Sequence, residues 1–277
     1  MSESAEMKLK EYRGNCHCGA FKFKLKIPEI KEAHTCTCSV CAKKGYLWTF
    51  PKREQLTIVQ GEEDKTLKTY LFAKKMMAHK FCPTCGTSVM EARMPGSNVP
   101  GAPEIGINIR TLEGIDLESL QINTFDGATV LQPAYENPEP VAVESIEEDA
   151  TVYHGSCHCG ALCYALVSDK KISQALLCDC SICSRDAVLW IYPKIDRVTF
   201  KGRESAAEYT FGKGTVYHGF CGICGVPVYE RFADPEDDDV ALNVRTMHGL
   251  DLAEVEMLPD KGSAMLPVYN VWGDEAA

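Results

Sequence analysis

The chain has 277 residues, 45% of them hydrophobic and 25% charged, the composition of a globular protein with ample core. A formal net charge of −10 and a pI near 5.3 argue against a phosphate-tracking surface, so nucleic acid is not an expected partner. No run approaches the roughly 18 apolar residues of a membrane span, and "MSESAEMKLKEYRG" lacks the apolar core of a signal peptide; a cytoplasmic protein without membrane contact is expected.

Taken in chain order, "YRGNCHCGAFKFKL" (12–25) carries a Cys-His-Cys-Gly turn and then alternates apolar residues with Lys22, Lys24 and Lys26, the pattern of a half-buried antiparallel strand. "CTCSVCAKKGYLWTFPK" (36–52) places three cysteines in six positions ahead of a β-prone "YLWTF". Further strands are expected at "LTIV" (56–59), "TSVMEA" (87–92) and "EIGINI" (104–109), a second two-cysteine turn at "HKFCPTCGTSV" (79–89), and a short helix at "GIDLESL" (114–120). "QPAYENPEPVAVESIEEDA" (132–150), rich in Pro, Glu and Asp, reads as a linker.

Beyond it the series returns: "YHGSCHCGALCYAL" (153–166), "CDCSICSRDAVLWIYPK" (178–194), "HGFCGICGVPV" (218–228), and "LNVRTMHGLDL" (242–252) against "INIRTLEGIDL" (107–117). Four motifs repeated in order at a nearly constant offset mark a tandem duplication. The expected organisation is a first domain over 1–131, a linker over 132–150 and a second domain over 151–277, each domain of about 120 to 130 residues and mostly β. In the second copy the outward lysines become Cys163, Ala165 and Val167. That face is expected to be covered, by the first copy or by another part of its own domain, because a large exposed apolar patch is a liability.

Fifteen cysteines at C-x-C and C-x-x-C spacing point to metal ligation, with zinc the leading ion. Each copy supplies seven: Cys16, Cys18, Cys36, Cys38, Cys41, Cys82 and Cys85, then Cys157, Cys159, Cys178, Cys180, Cys183, Cys221 and Cys224. Cys163 is left over and reads as a small buried hydrophobe. Seven divides into four plus three. The knuckle-like pairs form a closed four-thiolate site from Cys16, Cys18, Cys82 and Cys85, and from Cys157, Cys159, Cys221 and Cys224. The local C-x-C-x-x-C sets, Cys36, Cys38 and Cys41 and then Cys178, Cys180 and Cys183, leave a fourth position for water or a substrate thiolate. A histidine completing these sets would make them structural instead; His17, His79, His158 and His218 recur for that role. Three thiolates leave a divalent zinc at net −1, better suited to holding a thiolate than to making hydroxide. Lys43, Lys44 and Arg185 are expected to offset that charge or to lie solvated on the loop, and Lys43 and His79 are candidates for moving a proton. Trp48 and Trp190 read as core or pocket wall.

The motifs "GNCHCGAFKF", "CTCSVCAKKGYLWTFP", "YLFAKKMMAHKFCPTCGT" and "INIRTLEGIDLESLQINTFDG" together resemble the glutathione-dependent formaldehyde-activating enzyme family, which includes centromere protein V, and the resemblance covers nearly the whole chain, twice. It implies two β-tent domains of antiparallel sheets, each with a structural four-cysteine zinc and a second three-cysteine zinc, up to four ions per chain. It implies a carbon–sulfur lyase or synthase in which glutathione, as co-substrate, adds to formaldehyde, with Cys36, Cys38 and Cys41 as catalytic ligands. Glutathione carries two carboxylates, for which Lys43 and Arg110 are the candidate partners; Arg110 and Arg245 fit an ion pair with Asp116 or Asp251 equally well. The second copy departs from the pattern, with Ala187 where the first has Gly45 and "DKG" where the first has "FDG", so the first site is expected to be the principal one. Another glutathione conjugate is an alternative substrate, and a zinc-stapled binding or chaperone module is the alternative function. Packing of the two domains against one another is expected.

Overall fold

The computed structural model describes residues 8–97, 101–144, 148–264 and 267–273. Residues 1–7, read above for a leader, and residues 145–147 of the expected linker lie outside them. The first half runs through β1 (Leu9–Asn15), β2 (Lys22–Pro28), β3 (Glu32–Cys36), β4 (Trp48–Thr49), β5 (Leu56–Gln60), β6 (Lys68–Tyr70), β7 (Met77–Phe81), β8 (Ser88–Arg93), β9 (Ile105–Asn108) and β10 (Gln121–Phe125). The second repeats the plan with β11 (Thr151–Ser156), β12 (Cys163–Ser168), β13 (Gln174–Cys178), β14 (Trp190–Ile191), β15 (Val198–Lys201), β16 (Ala206–Tyr209), β17 (Val216–Cys221), β18 (Pro227–Phe232), β19 (Val240–Asn243) and β20 (Glu256–Asp260). Each half holds a three-stranded sheet, β1-β2-β5 or β11-β12-β15, and a seven-stranded one. The larger sheets run β10-β3-β4-β9-β8-β7-β6 and β20-β13-β14-β19-β18-β17-β16, antiparallel except where the last strand in sequence, β10 or β20, joins β3 or β13 in parallel. The molecule is therefore mainly β in two similar halves, as expected. Among the described residues no helix is long and apolar enough to cross a membrane.

The period-two pattern explains how the sheets close on a core. Phe23, Leu25 and Ile27 of β2 are buried while its lysines face outward, and they pack on Val89, Met90, Ile105 and Ile107 of the larger sheet. Cys16, Cys82 and Cys85 belong to this same cluster, so the knuckles sit in the core rather than on its rim. In the second half Cys163, Tyr164, Ala165 and Leu166 of β12 are all buried. The cover over Cys163 and Ala165 comes from the segment joining the halves: Val141 is buried on them, with Val143 and Val152 half-buried alongside, and Cys163 Sγ lies 3.2 Å from the Gly160 carbonyl oxygen. The main cover is thus the linker, which the sequence did not suggest, with Val152 of the second domain itself beside it.

Residues 114–120 form turns, not the expected helix, and their counterpart is a single 3-10 turn over Leu252–Glu254. Asp116 Oδ1 accepts from the Glu118 amide and Ser119 Oγ donates to the Asp116 carbonyl, local bonds that compete with helical ones. Conversely, short helices the sequence did not suggest, Ser39–Lys44 and Ser181–Asp186, follow each pair of leading cysteines.

Candidate metal centres

Four groups of cysteines come together, each with its sulfur atoms within 4.8 Å of one another: Cys16, Cys18, Cys82 and Cys85; Cys157, Cys159, Cys221 and Cys224; Cys36, Cys38 and Cys41; and Cys178, Cys180 and Cys183. No histidine enters any of them among the described residues. In the four-cysteine groups the β1–β2 and β7–β8 turns, and their repeats, present the sulfurs face to face. Sulfur separations are 3.7 Å for Cys16 and Cys18, and 3.6 Å for Cys18 and Cys82, Cys157 and Cys159, and Cys159 and Cys221. A disulfide needs about 2.05 Å. A tetrahedral ion with Zn–S bonds of about 2.3 Å sets its ligands about 3.8 Å apart, so the donor set fits zinc.

The three-cysteine groups are built differently. Cys36 ends β3, Cys38 is the extended residue preceding the helix Ser39–Lys44, and Cys41 lies three positions on, on the same helical face. Gly127, just after β10, presses on the loop: a Cβ there would lie 2.3 Å from Cys36 Sγ. Thr37 Oγ1 donates to Asp126 Oδ1 at 3.0 Å and accepts from the Ala128 amide at 3.1 Å, tying the two segments. In the second copy Gly262 takes the place of Gly127, its missing Cβ 2.4 Å from Cys178 Sγ, and Asp179 accepts from the amide and hydroxyl of Ser263. The shift from "FDG" to "DKG" therefore leaves the glycine against the sulfur. Three thiols this close compete for protons: hydrogen bonds from Cys38 and Cys41 push Cys36 down to about 3, while Cys41, hydrogen-bonded to Cys36 and Cys38 and buried, is pushed well up. Such a set is poised to exchange shared protons for a divalent cation.

A family model described as glutathione-dependent formaldehyde-activating enzyme matches residues 11–114 and again residues 152–262. The chain belongs to this family, as a tandem duplicate. A solved structure of a Rhodobacter sphaeroides protein from a structural-genomics programme is 28% identical, covering 40% of this chain and 99% of its own, with a TM-score of 0.33.

Within this formaldehyde-activating-family framework the other expected site residues fall in unexpected places. Lys43 is buried and its Nζ donates to the carbonyls of Ser156 and Thr246, both in the second copy, at 3.1 and 3.2 Å. It is an inter-copy tie and not a solvated cation beside the thiolates. Lys44, also buried, donates to Ser88 Oγ, and Arg185 NH1 donates to the Ser181 carbonyl. Arg110 makes no pair with Asp116: its Nε donates to the Gly45 carbonyl at 2.8 Å and its NH1 reaches the Ser184 carbonyl of the other copy at 3.4 Å. It lines a cleft of about 390 Å³ with Glu113, Asp179, Ser181, Arg185 and Tyr269, so what it offers a ligand is offered at the second copy's loop. Arg245 repeats the first bond with the Ala187 carbonyl at 2.6 Å.

Trp48 and Trp190 are buried against the three-cysteine groups, Trp48 stacking on Tyr46 at 4.1 Å and Trp190 Nε1 donating to Cys183 Sγ at 3.3 Å. Behind them lies a carboxylate that sequence reasoning passed over. Glu91 Oε2 is 4.0 Å from His79 Nδ1, and burial, with the nearby Cys36 thiol, pushes Glu91 up to about 7. In the counterpart pair, Glu230 Oε1 lies 2.6 Å from His218 Nδ1. The signal was present: "SVMEA" and "PVYER" place a glutamate at matching positions of two strands, each after an apolar pair.

Proposed function

We propose that the chain is a zinc-dependent carbon–sulfur lyase or synthase acting on a glutathione adduct, of the S-(hydroxymethyl)glutathione type or another glutathione conjugate. The observation that carries this reading is the contrast within each half, a four-sulfur cluster seated largely in the core beside a three-sulfur cluster with no fourth cysteine or histidine among the described residues. Zinc in the three-sulfur set would hold a substrate sulfur as thiolate and lower its thiol pKa. In the synthetic direction a carbon–sulfur bond forms between the thiol sulfur and the aldehyde carbon, and the thiol proton ends on the former carbonyl oxygen; the lyase direction reverses both changes.

The chain's own contributions follow from the site. Tyr46, Trp48 and Phe72 wall the first loop with rings, and Cys38 and Cys41 are buried beside them. On this reading His79, buried behind them, and Glu91, half-buried beside it, hold or pass the hydroxyl proton. Lys43, fixed on two carbonyls, is not. The first copy is the principal site on this reading, within domains spanning 1–131 and 151–277.

A native mass spectrum of the intact chain tests the reading. Four zinc ions and a glutathione complex that disappears in Cys38→Ser, together with loss of turnover on hydroxymethylglutathione, are expected. Two zinc ions and no complex would replace the enzyme by a zinc-stapled binding module.

A further inference from the structure

The histidine between the first two cysteines of each four-cysteine cluster does not turn toward its own copy. His158 Nε2 lies 2.8 Å from Ser39 Oγ, and its Nδ1 lies 2.6 Å from the Tyr70 hydroxyl, both in the first copy. His17 does the same in the other direction, with Nε2 2.8 Å from Ser181 Oγ and Nδ1 3.0 Å from the Tyr209 hydroxyl. The surroundings repeat as well. The His158 ring stacks on Tyr135 at 4.6 Å and meets Phe72 edge-on at 4.8 Å; the His17 ring stacks on Tyr269 at 4.4 Å with Phe211 at 4.4 Å. Tyr135 donates to the His158 carbonyl at 3.0 Å and Tyr269 to the His17 carbonyl at 2.6 Å. Each contact of one histidine thus has its counterpart at the other.

Ser39 and Ser181 are the first residues of the helices that carry Cys41 and Cys183, directly after Cys38 and Cys180. A serine hydroxyl pinned at that point sets where the helix starts, and so the separation between the second and third sulfurs of the loop. A neutral imidazole has one donor and one acceptor nitrogen, and a hydroxyl can serve either, so bonding both holds the ring's plane whichever nitrogen carries the proton. On its other side the ring is anchored by the backbone of Cys157 and Cys159, or of Cys16 and Cys18.

We propose that the metal centres are cross-wired: His158, held by the second copy's four-cysteine cluster, is a positioning residue for the first copy's three-cysteine site, and His17 is the reciprocal one. Neither three-cysteine site is complete within its own copy. The inference rests on reading those loops as metal sites, but not on glutathione as the substrate.

The test uses the full chain with one loop silenced. With Cys178, Cys180 and Cys183 changed to Ser, chelator competition reads zinc affinity at the first loop. His158→Ala is expected to lower it about ten- to a hundredfold, the usual effect of removing a group that orients a metal ligand. His17→Ala leaves it unchanged, and His158→Gln, whose amide reaches Ser39, recovers most of it. With Cys36, Cys38 and Cys41 silenced instead, the roles of the two histidines exchange. A general loss of stability cannot produce that exchange. Equal effects of both histidines, or loss at the loop of the histidine's own copy, overturn the proposal. Should the loops take up no zinc, the enzyme reading fails by itself, and amide exchange over residues 39–44 decides the wiring. About tenfold faster exchange in His158→Ala than in His17→Ala supports it, and equal rates refute it.

Discussion

Gly45 and Ala187 occupy the same position in the two copies, and both close their helices in the left-handed region, at φ 54° and 52°. A β-carbon added at Gly45 would lie 2.5 Å from the β-carbon of Ala187, so the two helix ends meet across the copies with room for one methyl group. The left-handed turn calls for glycine, and what approaches it is the other copy. A non-glycine residue in this region carries about 1 kcal/mol of strain. Ala187→Gly is therefore expected to be close to neutral or to stabilise by up to about 1 kcal/mol, the relieved strain being partly offset by a freer unfolded chain. Gly45→Ala should cost more than about 1 kcal/mol, since strain and overlap add. The double variant should recover much of that loss, giving a coupling of about 1 kcal/mol in a double-mutant cycle read from urea midpoints. Additive effects would mean the two ends do not touch. Gly127 makes a second residue-scale case: Gly127→Ala drives a methyl group into Cys36 Sγ and should remove one zinc of four by mass, with the circular dichroism of the sheets unchanged.

At the scale of elements, the two cluster types differ in where the chain puts them. Cys16, Cys82 and Cys85 are within the core between sheets, whereas Cys36 and Cys178 stand half-exposed at strand ends. A three-ligand ion at a strand end has fewer protein bonds to break. Graded chelation is expected to remove two ions first with the fold retained, and the remaining two only together with the sheets. This is measurable by following zinc release and circular dichroism in one titration; simultaneous release of all four ions would contradict it. Much of this was legible in the sequence. The division of seven cysteines into four and three, the alternating face of β2 and the order of the repeated strands all follow from local spacing and period. What was not legible is which copy each side chain serves. Lys43, Arg110 and His158 sit at motif positions of their own copy and reach carbonyls or hydroxyls of the other. Periodicity describes one element at a time and carries no information on such contacts. One clue was available: "YLF" (70–72) with "PAY" (133–135) pairs with "YTF" (209–211) and "PVY" (267–269), the tyrosines and phenylalanines that enclose the two histidines.

For the whole molecule, the interlocking makes the duplication one folding unit. Besides the histidines and Lys43, Lys68 Nζ donates to the Gly222 carbonyl at 2.5 Å, and the knuckle turns dock on one another's phenylalanines. A β-carbon at Gly86 would lie 2.7 Å from the Phe220 ring, and one at Gly225 would lie 2.4 Å from Phe81. Phe81 and Phe220 thus fill space in the copy to which they do not belong, and unfolding either half strips the other of aromatic packing and of hydrogen-bond partners for buried groups. Removing such partners carries the desolvation penalty of each group left behind, about 1–3 kcal/mol apiece, so a half-unfolded chain is a high-energy state. Urea unfolding followed in variants that retain only Trp48, in the first half, or only Trp190, in the second, should therefore give coincident transitions. Phe81→Ala, which deletes a fully buried ring, should lower stability by about 3–5 kcal/mol and move both transitions together, although the residue belongs to the first copy alone. Separation of the Trp48 and Trp190 curves in the otherwise unmodified chain would show two independent domains on a tether; a shift confined to Trp48 in Phe81→Ala would show that the contact with Gly225 contributes nothing to the second half.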